Sequence, residues 1–348
     1  MDDKRRVLLA MSGGVDSSVA AALLLEAGCQ VTGVFLCLGG AVRADNDSPG
    51  CCSPTDAADA RSVAQKLGID LFVLDASREF APIIEQFARE YAAGRTPNPC
   101  ILCNAQVKFG YLMRQADRLG MDFVATGHHA RMALGQVHRA AAKDQSYALF
   151  AVPREHLPRM LLPIGELGGK ARVRQIAAEL GLKVADKPDS QEICFVSEHH
   201  RSVLQRLAPQ ALQPGDIVDA QGKVLGRHQG VGNFTIGQRR GVRVAVGIPY
   251  YVTAIDPASA TVTIGPVEQL QRRSLQASRA NWHIDPPPAA FRATIQIRYN
   301  HPGAPGTVTP AGPEGFAVEF DQPVLAVTPG QAAVVYDGDR LLGGGWIE

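Results

Sequence analysis

The sequence SGGVDSS (residues 12–18) joins an apolar strand-like run to an apolar helix-like run. Glycines let backbone N–H groups approach an anion closely, and N–H groups at a helix start favour a phosphate. The hydroxyls of Ser12, Ser17 and Ser18 are expected to add donors. The sequence is neither a Walker A loop nor the dinucleotide GxGxxG. It therefore predicts a phosphate site, with a side-chain helix cap by Ser12 or Asp16 as the alternative.

A second motif, GRTPNPCILCNAQVKF (residues 94–109), places Cys100 and Cys103 one turn apart where a helix is expected to begin. A thiol at a helix N-terminus has a lowered pKa and therefore more of the reactive thiolate. Cys194 follows in KPDSQEICFV. These cysteines indicate thiol chemistry. Half of a structural zinc site, completed by Cys51 and Cys52, is the alternative.

Strand-like and helix-like runs alternate through the first half of the chain. This alternation predicts an α/β fold, a parallel sheet with helices on both faces, in which ligands bind at the carboxyl ends of the strands. SGGVDSS lies at such an end. The predicted strands are 6–11, 30–38, 69–74 and 122–126, and the predicted helices are 17–27, 55–67 (with Thr55 as N-cap), 80–93 and 104–119.

After about residue 205, short alternating runs such as YYVTAIDPASATVTIG are separated by glycine, proline and aspartate. This pattern is typical of small all-β modules. We therefore predict a catalytic α/β domain over residues 1–204, a central small β domain over 205–274 and a C-terminal β-barrel domain over 275–348.

The composition, 46% hydrophobic and 20% charged in 348 residues, is that of an ordinary soluble protein. A net charge of +1 excludes an overall basic field for nucleic acid, although clustered arginines leave a local basic face open. No apolar run is long enough to cross a bilayer. The basic N-terminus runs into the glycine loop instead of a cleavage site, so we expect a cytoplasmic protein.

Motifs along the whole chain resemble one enzyme family. SGGVDSS after an N-terminal strand is similar to the signature of the PP-loop ATP pyrophosphatases, which cleave ATP between the α and β phosphates and adenylate a carbonyl oxygen. The full set resembles the tRNA-specific 2-thiouridylases, which thiolate C2 of the wobble uridine of certain tRNAs. Besides SGGVDSS, the motifs of this set are GRTPNPCxLCN, ATGHHAR, KDQSY, DSQEICF, TIGQRRG, IRYNHP and a terminal VTPGQ…GGGWIE.

The resemblance implies roles for individual positions. Cys194 would carry sulfur as a persulfide, received from a cysteine desulfurase or sulfur-relay protein, and Cys103 would be the partner nucleophile. ATP, accompanied by Mg²⁺, would be held by Ala10, Met11, Ser12, Gly13, Gly14, Val15, Asp16, Ser17, Leu36 and Gly127. The target base would lie against Asn98, Pro99 and Cys100, and the tRNA would contact Lys143, Asp144, Gln145, Arg298 and Tyr299.

The implied reaction has three steps. ATP adenylates the C2 oxygen of uridine 34, and the outer sulfur of the Cys194 persulfide, or sulfide freed from it, attacks C2. Cys103 then attacks the inner sulfur, AMP leaves, and a Cys103–Cys194 disulfide remains for an external reductant. A base that reacts at C2 must leave the stack, which suits an anticodon loop.

One position departs from the family pattern, because some members have an aspartate where this chain has Cys100. An unperturbed thiol titrates near ~8.5 and cannot serve as a constant anion. Cys100, Cys103 and Cys194 could instead hold three irons of a [4Fe–4S] cluster. A non-catalytic, metal-bearing tRNA-binding protein is a further alternative, which leaves SGGVDSS without a role.

Four polar residues near these motifs have expected roles. His128 and His129 are expected close to the nucleotide, with a metal site as the alternative. Asp186 and Asp189 are expected to shape the loop before Cys194, with proton transfer as the alternative.

Overall fold

The computed structural model describes residues 4–39, 54–189, 193–195, 200–242, 244 and 247–348. The chain divides into two compact units. The first unit comprises Met1–Pro82, Cys100–Ser197 and Asp339–Leu341, and the second comprises Ile83–Pro99, Glu198–Gly338 and Leu342–Glu348. Cys51 and Cys52, the proposed second half of a zinc site, lie outside the described residues.

The first unit is built on a parallel sheet and a short hairpin. Their strands are β1 (Arg6–Ala10), β2 (Gln30–Cys37), β3 (Asp70–Asp75), β4 (Phe123–Ala125), β5 (Ala130–Ala133), β6 (Gln136–Arg139) and β7 (Met160–Leu161). The parallel sheet has the order β3-β2-β1-β4-β7, and β5 and β6 form the antiparallel hairpin. Central β1 pairs in parallel with β2 and β4, so that Leu8 lies beside Thr32 on one side and Val124 on the other.

Helices α1 (Val15–Glu26), α2 (Pro54–Leu67) and α6 (Lys170–Glu179) contribute apolar side chains to one core with the sheet. That core includes Val7, Leu9, Val19, Val63 and Val173. The remaining helices of the chain are α3 (Ser77–Ala92), α4 (Pro99–Leu102), α5 (Leu112–Arg118), α7 (Arg201–Leu207) and short 3₁₀ turns at Ser146–Leu149, Arg154–Arg159, Pro209–Leu212, Val231–Asn233 and Val267–Leu270.

Between α4 and α5 the chain forms a π-helix, Cys103–Tyr111. Helical structure therefore runs from residue 99 to residue 118, and we call this segment the cysteine helix. The sequence predicted this helix over residues 104–119, with Cys100 and Cys103 where it begins. Because four helical residues precede Cys103, it lies beyond the first turn, where the helix dipole acts most strongly.

The second unit contains two β structures. Their strands are β8 (Gly215–Val218), β9 (Val224–His228), β10 (Tyr251–Asp256), β11 (Thr261–Gly265), β12 (Gln271–Trp282), β13 (Phe291–Gln296), β14 (Ala304–Pro310), β15 (Gly315–Leu325), β16 (Ala332–Asp337) and β17 (Arg340–Ile347). A four-stranded sheet has the order β10-β11-β8-β9 around Val252, Val262 and Ile264. Six strands form a closed barrel in the order β12-β15-β14-β13-β16-β17, with β17 pairing back to β12.

These elements confirm the predicted fold class, a parallel α/β sheet followed by two small β structures. The prediction for Thr55 is wrong, because α2 begins at Pro54 and Thr55 lies inside it. None of the helices in the described part of the chain is long and apolar enough to cross a membrane.

Candidate active site

The SGGVDSS loop connects β1 to α1. Gly13 has a φ of +75°, and a Cβ there would lie 2.2 Å from the carbonyl oxygen of Asp56. Gly14 occupies the N-cap position in an extended conformation, and no side chain caps the helix. The alternative of a cap by Ser12 or Asp16 is therefore wrong. The backbone path itself requires glycine at position 13.

The serine hydroxyls stabilise the loop internally. The Ser12 N–H donates to Ser17 Oγ at 3.2 Å, and Ser17 Oγ donates to the Gly14 carbonyl at 3.1 Å. Ser18 Oγ donates to the same carbonyl at 2.9 Å. A hydroxyl has one hydrogen to donate, and in this structure Ser17 and Ser18 donate theirs within the loop. That these hydroxyls and the exposed Ser12 donate to a ligand stays a prediction.

A cavity of about 200 Å³ in the first unit, which we call the site cavity, lies against this loop. Predicted nucleotide-binding residues form much of its wall, together with the thiol of Cys103 and the predicted tRNA contact Gln145. Its lining residues are Ala10, Met11, Ser12, Asp16, Ser17, Val34, Leu36, Leu38, Cys103, Lys108, Thr126, Gly127, His128 and Gln145. Gly13, Gly14 and Val15 shape the loop without lining the cavity.

Sequence reasoning missed Lys108, Thr126 and the apolar wall of Val34 and Leu38. Thr126 and Leu38 end predicted strands, so the carboxyl-end rule could have found them. Val34 lies in the middle of a predicted strand, where that rule does not apply. Lys108 is different, because an ordinary α-helix would have turned it away from Cys103.

Gly127 packs directly on the glycine loop. A Cβ there would lie 2.7 Å from both the carbonyl carbon of Asp16 and the nitrogen of Ser17. Next to it, His128 is buried, and its Nδ1 lies 2.7 Å from Thr126 Oγ1. Burial lowers the pKa of His128 well below its ordinary value, and the charges of Lys108 and His129 lower it further. His128 is therefore a neutral imidazole on the cavity wall at neutral pH.

Asp16 is the carboxylate of the cavity wall. Its Oδ1 lies 3.1 Å from His129 Nε2, and its Oδ2 accepts a hydrogen bond from Lys170 Nζ at 2.7 Å. Burial favours the neutral acid, but the bonds to His129 and Lys170 outweigh it and lower the pKa of Asp16. A stable negative charge therefore sits at the start of α1, where the helix dipole favours it.

Lys170 links Asp16 to Asp189, whose Oδ1 it contacts at 2.6 Å. Lys143 contacts the other oxygen of Asp189 at 2.8 Å, and Arg174 contacts Oδ1 at 3.3 Å. Partial burial opposes ionisation, yet the bonds to Lys143 and Lys170 lower the pKa of Asp189 to about 2. Asp189 thus anchors the segment that leads towards Cys194, in agreement with the expected loop-shaping role.

Lys187 ties the same segment to the glycine loop. Its Nζ donates to the Gly13 carbonyl at 3.0 Å and to Asp56 Oδ1 at 2.7 Å, and it also contacts Asp59. Two lysines, Lys170 and Lys187, therefore connect the segment before Cys194 to the glycine loop.

The three cysteines of interest differ in their environments. Cys103 is 7% exposed and lines the site cavity. Cys100 is exposed, and Cys194 is half-buried beside Phe195, whose ring packs edge-on against Phe80 at 5.6 Å. Within the described part of the chain, neither Cys100 nor Cys194 lines the cavity. Nor do the described residues contain a group of three or more His, Cys, Asp or Glu side chains placed to hold a metal ion.

The predicted tRNA contacts at positions 143–145 have internal partners. Besides the ion pair of Lys143, Asp144 Oδ1 accepts hydrogen bonds from the backbone N–H groups of Ala140 and Ser146 at 3.1 Å each. Gln145 Oε1 accepts from the His129 N–H at 2.8 Å. This segment is therefore fixed in shape beside the cavity.

In the second unit, residues 94–99 (GRTPNP) form an arm that carries Asn98. Residues of the C-terminal motif VTPGQ…GGGWIE (327–348) hold this arm in place. The Thr96 N–H donates to the Pro329 carbonyl at 2.8 Å, and the Gln331 side chain donates to the Thr96 carbonyl at 2.8 Å. Arg95 pairs with Glu90 at 2.8 Å and with Glu348 at 2.7 Å. The sequence showed both motifs but not that one supports the other.

Arg298 and Tyr299 follow β13 in the second unit. Gln296 is buried, and its amide donates to the carbonyls of Arg298 and Tyr299 at 3.2 and 2.9 Å. Arg298 donates to the Leu325 carbonyl at 2.8 Å, while Tyr299 is 40% exposed. Gln296 therefore orients this pair, a role that the sequence did not reveal.

A glycine loop at the carboxyl end of a parallel strand, facing a cavity with a buried thiol, defines a nucleotide-binding α/β protein. Family models match three consecutive segments: a "tRNA methyl transferase HUP domain" over residues 5–198, a "tRNA methyl transferase PRC-barrel domain" over 201–266 and an "Aminomethyltransferase beta-barrel domain" over 272–347.

Full-length relatives are more specific. The chain is 46% identical to the tRNA-specific 2-thiouridylase MnmA of Rhodopirellula baltica, over 98% of this chain and 96% of the relative. It is 47% identical to the protein of the same name from Chloroflexus aggregans, over 98% of each. The chain therefore belongs to the tRNA-specific 2-thiouridylase family. The solved NMN synthetase of Francisella tularensis is a distant likeness, 18% identical with a TM-score of 0.33 over 54% of this chain and 67% of that one.

Proposed function

We propose that this protein is a tRNA-uridine 2-sulfurtransferase that uses ATP to thiolate C2 of the wobble uridine, position 34, and releases AMP and pyrophosphate. The observation that carries this proposal is the site cavity, where the glycine loop and the Cys103 thiol meet. The thiol favours sulfur transfer over the methyl transfer named in the domain descriptions. We assign the chemistry to residues 1–204, and the holding of the tRNA to the small β domains, 205–274 and 275–348.

We assign ATP to the glycine loop, with Leu36 and Gly127 as neighbouring wall residues. Mg²⁺ would arrive with the nucleotide. The ionised Asp16 carboxylate fits a site for a nucleotide that carries a cation, because it adds a negative charge at the cavity wall. Lys170 is positioned to compensate that charge when the cation is absent.

We assign sulfur transfer to Cys103 and Cys194. The uridine C2 oxygen attacks the α phosphate of ATP, and pyrophosphate leaves. The terminal sulfur of a Cys194 persulfide forms a bond to C2, and the Cys103 thiolate attacks the inner sulfur, which breaks the S–S bond as AMP leaves. The transferred sulfur becomes the thiocarbonyl, the two cysteines become a disulfide, and an external thiol reduces it. A cysteine desulfurase or sulfur-relay protein would reload Cys194.

We assign the flipped-out base to Asn98, Pro99 and Cys100, and the surrounding tRNA to Lys143, Asp144, Gln145, Arg298 and Tyr299. The exposed ring of Tyr299 and the fixed carbonyls beside it support a contact with RNA, because exposed aromatic rings stack on unpaired bases. The reaction would take place in the cytoplasm.

The test is mass spectrometry of nucleosides from unmodified tRNA after incubation with ATP and a persulfide donor. We expect 2-thiouridine in air, with its formation abolished in Cys103→Ala and Cys194→Ala and only slowed in Cys100→Ala, because Cys100 contacts the base without taking part in sulfur transfer. A requirement for iron and for all three thiols would instead establish the cluster alternative. The absence of both 2-thiouridine and tRNA-dependent AMP would exclude the enzyme and favour a tRNA-binding protein.

A further inference from the structure

Cys103 and Lys108 are five residues apart, and both line the site cavity. On an α-helix this separation corresponds to a rotation of about 140°, which would point one of the two away from the cavity. The π-helix Cys103–Tyr111 changes the geometry, because its hydrogen bonds reach five residues back, as from the Leu112 N–H to the Val107 carbonyl. Positions five apart then lie on one face, as positions four apart do on an α-helix.

The charge of Lys108 acts inside the cavity. After burial, it is the strongest influence that lowers the pKa of His128, a neighbour on the same wall. Among the described residues that line the cavity, Lys108 is the only one with a cationic side chain at neutral pH. The other charged lining residue, Asp16, is already paired with Lys170.

A nearby cation would favour the thiolate form of Cys103, which is the reactive form. A thiol that is only 7% exposed is harder to ionise than a thiol in water, since burial disfavours the charged form. The helix dipole gives limited help, because Cys103 lies beyond the first turn of the cysteine helix.

We propose that Lys108 is a positioning residue that stabilises the thiolate of Cys103 across the site cavity, and that the π-helix exists here to bring the two side chains to one face. This proposal rests on the nucleophilic role proposed above for Cys103. It assigns to Lys108 an effect on the ionisation of the thiol and none on the fold.

The experiment measures the alkylation rate of Cys103 by iodoacetamide against pH, read at the level of the Cys103 peptide by mass spectrometry. In Lys108→Met we expect the midpoint of the pH profile to rise by about one unit, with a rate about tenfold lower at pH 7. Lys108→Arg should restore the profile. Arg118→Met is the matched control, because it removes one exposed cation from the same helix without touching the cavity wall.

An unchanged midpoint in a folded Lys108→Met overturns the proposal, and so does an equal rise in Arg118→Met. Lys108→Gln provides the same measurement if the methionine variant unfolds. The assay needs neither tRNA nor ATP. A shifted midpoint in a protein that forms no 2-thiouridine therefore counts against the proposed function alone.

Discussion

The glycine loop of the first unit and the GRTPNP arm of the second both carry proposed site residues on irregular backbone, but they are held in different ways. The loop has hydrogen bonds of its own, but what distinguishes it is close packing, with no room for a Cβ at Gly13 or Gly127. The arm is held by hydrogen bonds and ion pairs from residues more than two hundred positions later in the chain, namely Pro329, Gln331 and Glu348.

The difference predicts two kinds of response to substitution. Close packing fails abruptly, because protein interiors tolerate almost no added volume against a backbone atom. Polar anchoring fails gradually, because each hydrogen bond contributes about 1 kcal/mol and several act in parallel. Substitutions in the loop should therefore lower the rate of the chemistry steeply, whereas substitutions around the arm should lower stability and tRNA affinity in steps.

The largest effect is expected for Gly13→Ala. The new Cβ would meet the Asp56 carbonyl oxygen at 2.2 Å on a residue with φ of +75°, so the loop must move. A displacement of about 1 Å that misplaces reacting groups costs about 100-fold in kcat/KM. The measurement is tRNA-dependent AMP release. Gly28→Ala is the control, since Gly28 has a φ of +78° with nothing within 4 Å of a Cβ. Equal losses of kcat/KM in both variants would show that the strain of a positive φ, and not the contact with Asp56, causes the loss.

The second effect is expected for Arg95→Met at the base of the arm. It removes the partner of Glu90 and Glu348 from a site where the Arg95 side chain is 21% exposed, so we expect a loss of about 2 kcal/mol in unfolding free energy. The KM for tRNA should rise while the KM for ATP is unchanged. Chemical denaturation and steady-state kinetics measure the two quantities. The control Arg89→Met breaks an exposed pair at 3.6 Å and should change stability by less than about 0.5 kcal/mol. A rise in the KM for ATP would contradict the separation of loop and arm.

The same contrast explains what the sequence could predict. The strands, helices and glycine loop were predictable because their signals, periodicity and glycine before a helix, are local. The support of the arm by Gln331 was not, because the sequence does not show which distant residues meet. Lys108 escaped prediction for another reason: no local pattern announces a π-helix, and the ordinary helical period places the lysine on the wrong face.

The third effect concerns the buried imidazole beside the loop. Burial keeps the folded pKa of His128 well below 6.5, so the unfolded chain takes up a proton near pH 6.5 that the folded chain does not. The stability contributed by neutral His128 is therefore complete above pH 6.5 and is lost as the pH falls towards the folded pKa. His128→Asn should flatten the fall in unfolding free energy between pH 7 and pH 5, by up to about 1.4 kcal/mol per pH unit. Urea denaturation at several pH values measures it. An unchanged slope in His128→Asn would mean that His128 takes up a proton in the folded state.

The smallest effect is expected for Gln331→Ala, which removes the side-chain bond to the Thr96 carbonyl but keeps the backbone bond between Thr96 and Pro329. We expect a loss of about 1 kcal/mol in unfolding free energy and a modest rise in the KM for tRNA, without a change in kcat. Denaturation and thiolation kinetics measure these. Gln175→Ala, which breaks an exposed Gln–Glu contact of 2.8 Å on α6, is the matched control and should cost only a few tenths of a kcal/mol. If Gln331→Ala lowers kcat as strongly as Gly13→Ala does, the arm is part of the reacting geometry and its anchoring is as strict as that of the loop.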